Sequence, residues 1–365
     1  MKNSRPKRLV VHVGMPKTGS TAIQQSLSRQ SLPSGFVYPN FGDFNHTFGL
    51  IDAFADDPGK VRAQLNRTIA ERQLLKNSSR IRALLERLAG SPDIHTMILS
   101  AEGFQRLGDE GVKNLREFFR AFGFHIEAYG YIRAPFDFLP ANFQEHLKVG
   151  PTTLSRVRTM VAYGAWVARH KRHFAADEFN LVAYERSKFP NGNIVSDFAV
   201  RIGMSGFVPI ENKSNTNMSL SVQAVKLLYV FREKTGAEHP SCKPNRQHRL
   251  FVSKLHELDG DRFRFSPDFV QELINEQKEA VEAIGKAIGA NLLEVVTDRP
   301  EFISSESELV AYDAVAHRWL ARELGEVEQS TMTVDDWRNW ATASMQALYD
   351  RFSDKKNTPP DLSGA

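Results

Sequence analysis

Between Arg8 and Gln25 an apolar run, Leu9–Val13, enters a turn bounded by Gly14 and Gly19. The hydroxyl pair Ser20-Thr21 follows, and then Ala22, Ile23 and Leu27 at helical spacing. A strand, a glycine-bounded turn and a helix start in that order form a phosphate cradle. Successive backbone N–H groups point into one concavity, and the positive end of the helix dipole favours an anion there. The chemistry to expect is the binding of a phosphate-linked group.

The position of the lysine separates one kind of cradle from another. A nucleotide triphosphatase loop carries its lysine directly after the second glycine. Here that position is Ser20, and the lysine sits inside the turn, at Lys17. The string Pro16-Lys17-Thr18-Gly19-Ser20-Thr21 resembles the 5′-phosphosulfate loop of sulfotransferases, which use 3′-phosphoadenosine 5′-phosphosulfate (PAPS) as sulfuryl donor. The plainer reading is a Gly/Ser/Thr turn that happens to precede a helix.

Sulfuryl transfer needs a cation near the leaving oxygen, donors around the nonbridging oxygens and a base for the acceptor proton. The resemblance implies Lys17 as the cation, in a turn fixed by Pro16, with Thr18, Gly19, Ser20 and Thr21 as donors to the 5′-phosphate. No metal is implied. A second constellation runs Tyr131-Ile132-Arg133-Ala134-Pro135 and on to Asn142. It resembles the 3′-phosphate motif of the same family, in which an arginine and a downstream serine bind the nucleotide. Arg133 matches. The serine position is Ala141, and Asn142 next to it carries an amide donor on a different helical azimuth. Read without the family, Arg133 is a structural arginine paired with a carboxylate.

Two residues compete for the general base. His46, in Asn45-His46-Thr47, lies in a loop after the first helix, where a polar loop residue is the plainer reading. Glu102, in Ser100-Ala101-Glu102, lies just past a strand and faces the same crevice; soluble bacterial relatives often show Ser-x-Glu there. Its plainer role is to cap the next segment or orient Lys17 or Arg133. Tyr184-Glu185-Arg186 resembles a Tyr-Glu element of the family and is expected to steady the sheet edge. The run Arg169–His173 reads as a solvated helix end, and Lys243, Arg246, His248 and Arg249 as a basic loop cluster.

The elements that must position these residues are four buried strands, Leu9–Val13, Thr96–Ser100, His125–Ile132 and Asn180–Tyr184, separated by helical stretches. That pattern predicts an α/β fold with a P-loop-like central parallel sheet flanked by helices. Helices are expected over 21–31, 60–88, 112–122, 135–148 (kinked at Pro140) and 154–173. The C-terminal part reads as mostly helical, with helices over 217–232, from Ser266-Pro267 to near Gly289, and after Thr333. The expected division is a PAPS-binding core over 1–210, a helical part over 211–353 packed on the core or forming a lid, and a flexible tail over 354–365.

Bulk composition fits this picture. The chain has 365 residues, 41% hydrophobic and 25% charged, as in ordinary globular proteins. A formal net charge of +4 suits an anionic ligand and is too small to suggest nucleic acid. A single cysteine, Cys242, excludes an intrachain disulfide. With no long apolar span and no Cys/His zinc spacing, the expectation is a soluble, cytoplasmic, bacterial-type enzyme acting on a small-molecule or glycan acceptor. Two alternatives stay open: a P-loop nucleotide kinase or NTPase, and a noncatalytic nucleotide-binding relative.

Overall fold

A computed structural model describes residues 6–160, 162–210, 219–243, 245–295, 302–327 and 332–353. The expected tail over 354–365 and the start of the helix expected at Asn217 lie outside them. In chain order the elements are β1 (Lys7–His12), α1 (Ser20–Arg29), β2 (Phe36–Val37), α2 (Thr47–Phe54), α3 (Pro58–Gln64), α4 (Glu71–Gly90), β3 (Thr96–Ser100), α5 (Gly108–Ala121), β4 (Phe124–Ile132), α6 (Pro135–Val149), α7 (Leu154–Val157), α8 (Tyr163–His173), β5 (Phe179–Ala183) and α9 (Ile194–Arg201). Helices alone follow: α10 (Val222–Thr235), α11 (Arg246–Leu255), α12 (Pro267–Ile274), α13 (Lys278–Ala287), α14 (Glu306–Val310), α15 (Ala314–Leu324) and α16 (Val334–Asp350).

The fold is α/β. Among the described residues one five-stranded sheet has the order β2-β3-β1-β4-β5, with every pairing parallel. Strand β1 is central because Leu9, Val10 and Val11 are all buried, so both of its faces are apolar. Leu9, Val11 and Val13 pack with Met97, Leu99 and Phe119 on one face, while Val10 packs with Ile23, Leu27, Ile98 and Phe198 on the other. The chain runs first to β2 and β3 on one side of β1, and later to β4 and β5 on the other. A ligand crevice belongs at the carboxyl end of such a switch strand, which is where the Gly14–Gly19 turn begins.

Two compact units divide the chain. The first comprises Met1–Ala134, Tyr163–Asn212 and Ala280–Leu292; the second comprises Pro135–Ala162, Lys213–Glu279 and Leu293–Ala365. The first holds the sheet. In the second, α10 is buried from Val222 to Arg232 without a break, as a helix at the centre of a helical cluster must be. Its fully buried Arg232 donates to the carbonyls of Leu147 and Lys148 at the end of α6 and to Ser241 O, at 3.0, 2.7 and 3.0 Å.

Several local expectations change. Strand β2 escaped the sequence reading because two residues carry no periodicity. The single helix expected over 60–88 is two helices. Arg62 clamps Asp52 at 2.5 and 2.8 Å and also donates to Arg67 O at 3.2 Å, and that bond holds the chain in a turn with Asn66 at φ 53°. The helix begun by the Ser266 cap stops at Ile274 and restarts as α13. Arg246 and Arg249 lie not in a loop but on α11, which Asn245 caps by accepting the His248 N–H at 2.8 Å. Helix α6 runs unbroken through Pro140.

Candidate active site

The turn after β1 is built from the sheet outward. Strand β1 continues beyond His12 along β4: Val13 N–H donates to Tyr129 O, Met15 N–H to Tyr131 O and Tyr131 N–H to Gly14 O, at 2.9, 3.2 and 2.7 Å. The chain then turns through three left-handed residues, Gly14 (φ 89°), Lys17 (φ 64°) and Gly19 (φ 80°). Left-handed backbone costs a non-glycine residue about 1–2 kcal/mol, so Lys17 must be held in place. Arg133 Nη1 donates to Lys17 O at 2.9 Å, and the buried Thr18 Oγ1 donates to Met15 O at 2.5 Å.

Helix α1 starts at Ser20 with no side-chain cap and no acidic residue in its first turn. The N–H groups of Ser20 and Thr21 have no intrahelical acceptor by helix geometry. Ser20 Oγ is also buried with no hydrogen-bond partner. An unpaired buried hydroxyl costs about 1–3 kcal/mol. Those donors fit an anion, and nothing acidic in the helix start opposes one. Thus the residues expected to hold a 5′-phosphate lie together: Pro16 and Lys17 half-exposed, Thr18 and Ser20 buried beneath them.

Arg133 stands at the carboxyl end of β4. Its guanidinium lies 5.5 Å from the centre of the Tyr184 ring, and its carbonyl accepts the Tyr163 hydroxyl at 2.6 Å. Tyr184 N–H donates to Ile132 O at 2.7 Å, so the Tyr184 element does tie the sheet edge to the arginine. Asn142 and Ala141 lie on α6, in the second unit.

Glu102 lies two residues beyond β3 and is half-buried. Its Cα would be 3.7 Å from a Cβ placed on Gly14, so its backbone runs beside the entry to the turn. Ala101 N–H donates to His12 O at 2.9 Å and Gly103 N–H to Thr47 Oγ1 at 3.1 Å, which secures the residues on both sides of Glu102.

His46 is fully buried at the start of α2, not in an open loop. Its Nδ1 accepts the Ser100 N–H at 3.3 Å and its Nε2–H donates to Pro39 O at 2.9 Å. Tyr38 stacks on its ring at 4.2 Å and Phe41 packs at 4.4 Å. Burial pushes its pKa down to about 3. With both nitrogens engaged, it fastens the Tyr38–His46 segment to the end of β3.

The other basic clusters separate by burial. Arg169, Lys171 and Arg172 are exposed at the end of α8, whereas His170 is buried, stacked on Phe179 at 5.6 Å, with its pKa pushed down to about 4 by burial. His248 is also buried, with Nδ1 2.6 Å from Ser241 O.

Sequence reasoning missed a polar group beneath the turn, made of His12, Gln24 and Ser100. One signal was present: His12 interrupts the buried run Leu9–Val13. A polar residue in the central strand of a parallel sheet needs a partner, and Ser100 Oγ lies 2.8 Å from His12 Nδ1.

Among the described residues no group of three or more His, Cys, Asp or Glu side chains is arranged to hold a metal, and no helix is long and apolar enough to cross a membrane. No family model and no curated protein matches the chain. Among solved structures it is similar to a sulfotransferase from Alicyclobacillus acidocaldarius, at 12% identity over 78% of this chain and 97% of that one, with a TM-score of 0.40. A likeness that remote bears on neither activity nor ligand.

Proposed function

We propose that this protein is a sulfotransferase that moves a sulfuryl group from PAPS to a hydroxyl or amine acceptor, with carbohydrate or glycolipid as the acceptor class. The supporting observation is a lysine inside the turn at φ 64°, directly before a helix start with an unpartnered buried Ser20 hydroxyl and no acidic residue in its first turn. The acceptor class rests on the sequence resemblance alone.

PAPS, when bound, supplies the transferable sulfuryl group. The backbone N–H groups of the Thr18–Thr21 segment and the Ser20 hydroxyl hold its 5′-phosphate, in a turn shaped by Pro16 and Gly19. Arg133 holds its 3′-phosphate. Glu102 takes the proton as the acceptor O–H bond breaks and the new O–S bond forms. The electron pair of the broken S–O bond stays on the phosphate oxygen, where the Lys17 ammonium balances it. The products are a sulfate ester, or a sulfamate where the acceptor atom is an amine nitrogen, and adenosine 3′,5′-bisphosphate. Glu102 suits the base role better than His46, because a half-buried carboxylate can meet an acceptor and a buried imidazole with two engaged nitrogens cannot.

Calorimetry with adenosine 3′,5′-bisphosphate and with ATP, each with and without magnesium, tests the reading. Magnesium-independent binding of the bisphosphate is expected. Tighter, magnesium-dependent ATP binding overturns it in favour of an NTPase or kinase. Ala141 in place of the family's serine favours one other outcome, donor binding with no turnover on any acceptor, which identifies a noncatalytic relative.

A further inference from the structure

Ser100 ends β3, directly opposite His12 at the end of β1. Its hydroxyl is fully buried and meets two side chains from two different segments. His12 Nδ1 lies at 2.8 Å and Gln24 Nε2 donates at 3.1 Å.

A serine hydroxyl has one proton to give and two lone pairs to receive. Gln24 fills one lone pair of Ser100 Oγ, and the remaining bond joins Ser100 to His12 Nδ1. The His12 ring packs against Phe198 at 5.4 Å and Tyr131 at 6.1 Å, which holds the imidazole in place.

The two partners of Ser100 flank the phosphate turn. His12 precedes Gly14 on the incoming strand, and Gln24 follows Ser20 by one helical turn on the outgoing helix. We propose that Ser100 is a positioning residue: its hydroxyl clasps the strand that enters the phosphate turn to the helix that leaves it, and so sets the spacing of the anion-binding donors between them. The identity of the ligand rests on the function proposed above; the clasp itself does not.

Two measurements test it. The first is calorimetry of Ser100→Ala, Ser100→Thr and Gln24→Met with adenosine 3′,5′-bisphosphate and with adenosine 3′-monophosphate, which lacks the group the turn would hold. Ser100→Ala and Gln24→Met are expected to bind the bisphosphate roughly tenfold more weakly while the monophosphate changes by less than about twofold, and Ser100→Thr, which keeps a hydroxyl, recovers most of the loss. Unchanged bisphosphate affinity, or an equal loss for both nucleotides, overturns the proposal. Should Ser100→Ala not fold, Gln24→Met removes one arm of the clasp and decides alone.

The second measurement is a double-mutant cycle in urea unfolding without ligand, between Ser100→Ala and Gln24→Met. The two losses are expected to be less than additive, because both substitutions break the same bond. Additive losses refute the clasp. If the wild type binds neither nucleotide, the sulfotransferase reading fails, and this measurement still decides the clasp.

Discussion

The Arg133 guanidinium donates through Nη1 to the Lys17 carbonyl oxygen at 2.9 Å, joining residues 116 positions apart. The residue proposed for the 3′-phosphate therefore also holds the left-handed turn proposed for the 5′-phosphate. Lysine offers a point charge on a flexible stem and reproduces neither the fork nor the packing over Tyr184. Arg133→Lys is expected to weaken adenosine 3′,5′-bisphosphate binding about ten- to a hundredfold by calorimetry. Full affinity in that variant means the carbonyl bond does not set the turn.

Removing the Lys17 ammonium should cost turnover more than binding. The residue sits at φ 64°, so Lys17→Gly deletes the side chain and relieves the left-handed backbone cost of about 1–2 kcal/mol, which Lys17→Ala retains. A loss of about 10²–10³ in sulfuryl transfer is expected for Lys17→Gly, with a much smaller loss of bisphosphate affinity. Equal losses in the two assays would show that Lys17 only binds.

Glu102→Gln separates the two base candidates. Donor binding should stay within about twofold while turnover falls about 10²–10⁴-fold. His46→Asn should do the reverse, lowering the urea midpoint because it breaks a buried anchor, and leaving a folded fraction that turns over. If Glu102→Gln retains turnover, the base lies elsewhere.

Gly19 tolerates no side chain, for two separable reasons. Its φ is 80°, and a Cβ there would come within 2.8 Å of Ile194 Cγ2. Gly19→Ala is expected to destabilise the protein by about 1–3 kcal/mol in urea unfolding. Adding Ile194→Ala removes the contact but not the backbone cost, so the double variant should recover only part of the expected sum.

Acid should destabilise the fold early. His12 and His46 have pKa values pushed from 6.5 to about 3 by burial, and His170 to about 4. Below pH 6.5 the unfolded chain takes up protons that the folded histidines refuse. Stability therefore falls as pH drops from 6.5 towards 3, by about 1.4 kcal/mol per pH unit for each such histidine. Urea unfolding at pH 7 and pH 5 should show this slope, reduced in His46→Asn. A flat profile between those pH values contradicts the burial of these rings.

How much was legible follows from the range of each signal. The four longer strands, the Gly14–Gly19 turn and the Ser266 and Thr333 caps are local patterns, and each occurs within a residue or two of its expected place. Strand β2 has two residues and no period to read, and the break after α3 depends on Arg62 reaching Asp52 and Arg67. The division of the chain is also nonlocal, since residues 135–162 and 280–292 each belong with distant segments.

For the site, order along the chain was enough to propose Lys17, Ser20, Glu102 and Arg133, because a turn between strand and helix dictates where its backbone donors point. Residue type alone left His46 and Glu102 equivalent as bases. Their difference lies in what surrounds them: one imidazole sealed between Tyr38 and Phe41, one carboxylate half-open beside Gly14. Likewise no spacing rule connects His12, Gln24 and Ser100, since only the parallel register of β1 with β3 and the packing of α1 bring them to one hydroxyl. Local backbone preference and hydrophobic period determined the elements, and long-range packing, by desolvating some polar groups and leaving others wet, decided which of them remain available for chemistry.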